Sequence, residues 1–248
     1  MKGYEAAMYH FNSRVRYSET GEDGCLTLTG IINYFQDCST FHSEDSGVGV
    51  AYLEEHKKAW MLSSWRIFIR RYPMLGEEIT VSTWHCGNKG IYGYRNFRLQ
   101  DGAGNSLAEA DSSWFLLDLS SGIPCRVKEE DIRAYGTPGE PLDLGKAAGK
   151  LALPADAVPC ESITVGRHHI DTNHHVNNAQ YVEFAREAAG ISGPVRTLCA
   201  DYRRAALLGD VIVPKVSRSP GEATVALVNA QDEPYAVVWM QVEGQPFL

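Results

Sequence analysis

The sequence predicts an α+β fold used twice, each copy a single long helix wrapped by an antiparallel sheet. Three observations carry this. The chain repeats itself, each copy carries one amphipathic helix, and period-two apolar runs separated by turn residues follow each helix. The 248 residues are 44% hydrophobic and 22% charged, which suits one large or two smaller globular domains.

The repeat is read from three blocks. VRYSETGEDGCLTLTGIINYFQD (15–37) lies against VGRHHIDTNHHVNNAQYVEFARE (165–187) at a constant offset of 150, so that Cys25 meets His175 and Tyr34 meets Phe184. IRRYPMLGEEI (69–79) matches YRRAALLGDVI (202–212) at an offset of 133, with Leu75-Gly76 over Leu208-Gly209. A looser match sets ADSSWFLLD (110–118) against AVVWMQVEG (236–244). Three matches in one order give two modules, 1–135 and 157–248, joined by a Gly-, Pro- and Ala-rich connector at 136–156.

In the first copy Leu28, Ile31, Ile32, Phe35 and Cys38 recur at helical spacing, and Gly47 and Gly49 suit the helix end. Strands are predicted at 61–72, 77–87, 93–101 and 107–119, with turns at Pro73 and Gly76, Gly87-Asn88 and Asp101-Gly102. In the second copy Tyr181, Phe184, Ala185 and Ala188 form the buried stripe and Gly190 follows it.

Bulk properties bound the function. A formal charge of −8 argues against a duplex nucleic-acid footprint. Six cysteines, Cys25, Cys38, Cys86, Cys125, Cys160 and Cys199, stand singly without a C-x-x-C pair. That argues against a zinc ribbon, a dithiol motif and a disulfide-dense secreted scaffold. The start MKGYEAAMYHFNSRVRY has neither an apolar leader nor a transit-peptide composition, and no run is long enough to span a bilayer. A reduced cytoplasmic protein is expected.

The chemistry concentrates in DTNHHVNN (171–178). In an extended stretch Asp171, Asn173 and His175 share one face, just before a helix that Asn177 or Asn178 can cap. Backbone N–H groups at Val176, Asn177 and Asn178 can receive a carbonyl oxygen as it becomes negative. A carboxylate, an amide and an imidazole beside such a site hold the parts for water attack on an acyl carbon. The other reading is an Asx-rich turn that caps a helix, with His175 merely packed. The repeat bears on the choice, because the first copy carries Gly21, Asp23 and Cys25 at the same positions, as a degenerate site would. His168, His169 and His174 lack metal-ligand spacing, so no metal and no cofactor is expected. Arg66, Arg70 and Arg71 in one copy, and Arg203 and Arg204 in the other, read either as a solvated face or as a landing site for an acidic partner.

D-x-N-x-H-V-N-N-x-x-Y, together with NYFQD (33–37), WRIFIRRYP (65–73), TWHCG (83–87) and DYRRAALLGD (201–210), resembles the acyl-acyl carrier protein thioesterases of plant plastids and their bacterial relatives. The resemblance implies a double hot-dog fold and hydrolysis of fatty acyl-carrier thioesters, with acyl carrier protein as partner. It implies catalytic roles for Asp171, Asn173 and His175, and an acyl-chain site in the first module. One departure stands out. Where the family has an acid, with a cysteine beside it in some members, this chain has Ala205 and Ala206. The alternatives are an acyl-CoA thioesterase, a hot-dog hydratase or dehydratase, and an acyl-chain sensor, the last disfavoured because neither end leaves room for a DNA-reading helix pair. Two modules in one chain can meet a pairing that single modules make as dimers, so a monomer or a homodimer is expected.

Overall fold

The computed structural model describes residues 8–145 and 149–244. The first seven residues, read above as lacking an apolar leader, and 146–148 of the connector lie outside them. Two compact units emerge, Met1–Ser63 with Ile69–Gly145, and Ser64–Phe68 with Lys146–Leu248.

In the first unit come β1 (Tyr9–Arg14), α1 (Leu28–Asp45), a short α2 (Val50–Glu55), β2 (Lys58–Ile69), β3 (Glu78–Lys89), β4 (Tyr92–Asp101), β5 (Ser106–Asp118), the two-residue β6 (Ile123–Pro124) and α3 (Glu129–Ile132). The sheet order is β1-β3-β4-β5-β2. Thr27 caps α1 by accepting from the Gly30 N–H at 3.0 Å. The apolar stripe does what its spacing predicts: Ile31, Ile32, Phe35 and Cys38 are fully buried, and Phe35 meets Phe97 of β4 at 5.3 Å between ring centroids. Positive φ at Gly47 ends the helix run.

The second unit holds β7 (Val158–Pro159), β8 (Ile163–Thr164), α4 (Asn178–Ala188), β9 (Val195–Tyr202), β10 (Val211–Ser219), β11 (Glu222–Val228) and β12 (Pro234–Val242). Its sheet runs β9-β12-β11-β10-β7, with β8 pairing the start of β10. Ser64–Phe68 of β2 groups here because it pairs with β9, from Ser64 against Asp201 to Phe68 against Thr197. Helix α4 packs on β10, β11 and β12. Val182 and Ala185 are fully buried, and small side chains there bring the helix close to the sheet.

The repeat is written in the backbone at the offsets read from the sequence. Gly21 N–H donates to the Cys25 carbonyl, as Asp171 N–H does to His175. Leu26 donates to Pro73, and Val176 to Ala206. Val15 donates to Glu77, and Val165 to Asp210. The third block needs correction. Arg70 and Arg71 both donate to the Leu107 carbonyl, while Arg203 and Arg204 both donate to that of Tyr235. Leu107 and Tyr235 are therefore equivalent, two residues away from the register read in the sequence. A strand repeats every two residues, so a slip of two leaves the inward and outward pattern intact and cannot be detected from it. The doubled contact at Arg70 and Arg71 also ends β2 at Ile69 rather than at Tyr72.

Candidate active site

Three turns of the second unit meet at the start of α4. A 3-10 turn, Arg167–His169, comes first, and Asn177 N–H donates to the His169 carbonyl at 2.9 Å. The loop 171–175 closes between the paired residues Ile170 and Val176. The turn at 206–210 is laced to both, because Val176 donates to Ala206 and Gly209 donates to Val165.

The 171–175 loop is not extended, and this corrects the shared-face expectation for Asp171, Asn173 and His175. Asp171 N–H donates to the His175 carbonyl at 2.8 Å, His174 N–H returns to the Asp171 carbonyl at 3.1 Å, and His174 takes φ +61°. The Asp171 carboxylate accepts the Asn173 N–H at 2.8 Å. Short polar side chains satisfy the local backbone here instead of leaving it to a ladder, which is why alternation fails. The three residues still share one tight turn. Asp171 and His175 are half-buried, and Asn173 is exposed.

Asn177 is the N-cap of α4, its side-chain oxygen accepting from Ala179 at 2.9 Å. Two of the three N–H groups expected to receive an oxyanion, those of Val176 and Asn177, are engaged inside the chain, with Ala206 and His169. What the helix start offers the loop is the positive end of its dipole, beginning at Asn178.

The sequence reading left out Tyr181 as a polar group. It was placed in the buried stripe, and it is buried, yet its phenol oxygen accepts the Ala206 N–H at 2.8 Å. Burial pushes that phenol up to about 12. Tyr202 lies against it at 5.7 Å and donates to the Asn178 carbonyl at 3.0 Å. A Tyr on an apolar stripe is the signal that a polar partner waits in the core. Beside these rings, at 205 and 206, only alanine methyl groups are present.

His169 contacts Phe184 edge-on at 4.8 Å and accepts the Gly166 N–H on Nδ1. Burial, and then the neighbouring His168, pull its pKa below the usual histidine range. No group of three metal-ligating side chains occurs among the described residues.

The five arginines are engaged. Arg70 pairs with Glu109 at 3.0 Å, Arg71 with Glu77 at 2.5 Å, and Arg204 with Glu233 at 2.7 Å. Arg203 donates to the Leu151 carbonyl. Arg66 lies over the Phe68 ring at 5.6 Å.

A tandem α+β fold with a polar loop at one helix start and its blunted copy at the other defines a class of two-module proteins. The acyl-ACP thioesterase N-terminal domain model matches residues 6–135, and the C-terminal domain model matches 155–209. The chain belongs to the acyl-ACP thioesterase family. It is 24% identical to the chloroplastic palmitoyl-acyl carrier protein thioesterase of Gossypium hirsutum over 81% of this chain and 52% of that protein. The chloroplastic oleoyl-acyl carrier protein thioesterase of Coriandrum sativum is also 24% identical, over 93% of this chain and 72% of its own length. The chain thus spans about half the length of the palmitoyl relatives it matches. Among solved structures, an acyl-ACP thioesterase from Bacteroides thetaiotaomicron superposes with a TM-score of 0.83 at 23% identity, covering 95% of this chain and 98% of that one. The 12:0-ACP thioesterase from Umbellularia californica gives 0.83 at 19%, covering 96% and 97%. At such identities the likeness shows the fold, the double hot-dog.

Proposed function

We propose that this protein hydrolyses fatty acyl-acyl carrier protein thioesters to free fatty acid and carrier protein. One observation carries the reading beyond family membership. Two loops with the same backbone hydrogen bonds hold Gly21, Asp23 and Cys25 in one copy and Asp171, Asn173 and His175 in the other. A turn that had only to cap a helix would have no need of the second set.

In the mechanism, His175 and Asp171 activate a water for direct attack on the thioester carbonyl, and Asn173 positions the water or the ester. The N-terminal end of α4, near Val176 to Asn178, stabilises the oxyanion by its dipole. The pantetheine thiolate then leaves with a proton returned through His175. No metal or cofactor takes part. Ala205 supplies no acid, so the carboxylate role rests on Asp171. The acyl chain occupies the first module, and 157–248 carries the chemistry. The cytoplasm is the proposed compartment, which suits six free cysteines. No described helix is long and apolar enough to cross a membrane.

His175→Ala and Asp171→Asn are each expected to lower turnover on the order of 100-fold while circular dichroism stays unchanged. Wild-type rates in both variants would remove these residues from the mechanism. Saturated acyl-carrier thioesters of graded length, followed by thiol release and identification of the acids, test the reaction itself. No release from any of them would favour a hydratase on the same fold.

A further inference from the structure

The two copies also differ in what they present to solvent around the loop. In the second unit Arg167, His168 and His174 are exposed, and Leu207 and Leu208 stand 50% and 53% exposed on the turn that meets the loop. Arg167 has no ion-pair partner among the described residues. At the repeat offsets the first unit presents Tyr17, Ser18 and Gly24, with Met74 and Leu75 exposed at 57% and 50%.

The apolar pair is therefore common to both copies and belongs to the turn. The charge is not common. Residues 15–27 carry Glu19, Glu22 and Asp23 against Arg16 alone, and Arg16 is paired with Glu19. Residues 165–177 carry Arg167 and four histidines against Asp171 alone. With the histidines neutral, Arg167 and Asp171 cancel, so on a chain of net charge −8 this stretch lacks the acidic excess that the first copy keeps. It flanks the loop proposed for the chemistry and coincides with an exposed apolar pair.

We infer that Arg167, His168, His174, Leu207 and Leu208 form the landing site for the acidic carrier protein that delivers the thioester. This rests on the reading of the chain as a carrier-thioester hydrolase. Arg167 steers and holds an acidic helix with the exposed His168 and His174 beside it, the leucine pair supplies the apolar contact, and the thioester arm is left beside Asp171 and His175. The acidic first copy repels the same partner. Arg70, Arg71, Arg203 and Arg204, just past the ends of β2 and β9, are held by Glu109, Glu77, Leu151 and Glu233, so the cation that stands beside the loop for steering is Arg167.

The test uses the full chain and a fluorescently labelled holo acyl carrier protein, with affinity read by anisotropy at low and raised salt. Arg167→Glu and Leu208→Ser are each expected to weaken binding about 10-fold or more, and salt to weaken the wild type. Leu75→Ser, at the matching place in the first copy, is expected to change it less than about 2-fold. In turnover, the ratio of kcat/KM for carrier-bound over acyl-pantetheine thioester falls by the same factor in the two second-copy variants. Unchanged binding in both variants overturns the inference, as does an equal loss in Leu75→Ser. So does a result in which Leu208→Ser only converts a dimer to a monomer in sedimentation, which makes the patch a self-interface. The two readings fail separately. Carrier binding lost in the variants without thiol release from any substrate sinks the hydrolase, whereas hydrolysis with unaltered carrier binding sinks the landing site.

Discussion

His174 sits with φ +61°, where an L-residue is strained and where its counterpart Gly24, at +74°, is at ease. The same turn is thus closed twice, once at no steric cost and once at a cost of about 1 kcal/mol. His174→Gly should raise the unfolding midpoint of the protein by about 2 °C, measured by thermal melting. A lower midpoint would mean that the imidazole makes contacts worth more than the strain. Asp171 is bound into the same geometry, because its carboxylate holds the Asn173 N–H. The neutral amide of Asp171→Asn can still accept that bond, so the substitution tests the charge without dismantling the turn. Asp171, Asn173 and His175 were legible as a polar set in the sequence. Their folding into a turn was not, because an alternating polar pattern and an Asx turn look alike until the backbone bonds are seen.

Each long helix begins at a side-chain cap, Thr27 to Gly30 in α1 and Asn177 to Ala179 in α4. Asn177→Ala should cost about 1 kcal/mol of stability, read as a shift of the urea midpoint with an unchanged slope. A change below a few tenths of a kcal/mol would show the cap to be redundant with the Tyr202 and Tyr181 bonds around it. Helix positions and the faces they bury followed from spacing alone. The four strands read in the first copy did too, to within three residues at their ends. Strand β4 shows what periodicity hides. Arg95 alternates in phase with the fully buried Phe97 and Leu99, and it is itself only 8% exposed. A charge in phase with a core face is a visible warning, yet its partners come from elsewhere in the chain. His42 of α1 accepts from Arg95 on Nδ1 at 2.8 Å, and Tyr135 lies 4.8 Å under the guanidinium.

At the scale of the whole molecule, that buried group sets a pH limit for the first unit. Burial, then Arg95, then His85, push the His42 pKa down to about 4, from 6.5, while Asp45 pulls it up. His85 is lowered in the same way, by burial and then by Arg95. The unfolded chain therefore binds protons that the folded one excludes. Stability is fully present above about pH 6.5 and is lost as pH falls towards 4. Urea midpoints across that window should fall in the wild type, and more gently in His42→Gln, by up to one proton's slope. Parallel curves would place the sensitivity in other groups.

The sequence by itself determined the doubling of the module, the buried faces of the two long helices and the family. These rest on local periodicity and on residue matches that need no knowledge of distant partners. Tertiary structure alone decided three things. It set the register of the last strands, which a two-residue slip leaves unaltered in pattern. It gave Arg70, Arg71, Arg203 and Arg204, just past the ends of β2 and β9, their partners Glu109, Glu77, Leu151 and Glu233. And it joined 167–169, 171–175 and 206–210 into one place. Backbone bonds between residues far apart in the chain, such as Val176 to Ala206 and Gly209 to Val165, make that joining, and no window along the sequence contains both of their ends.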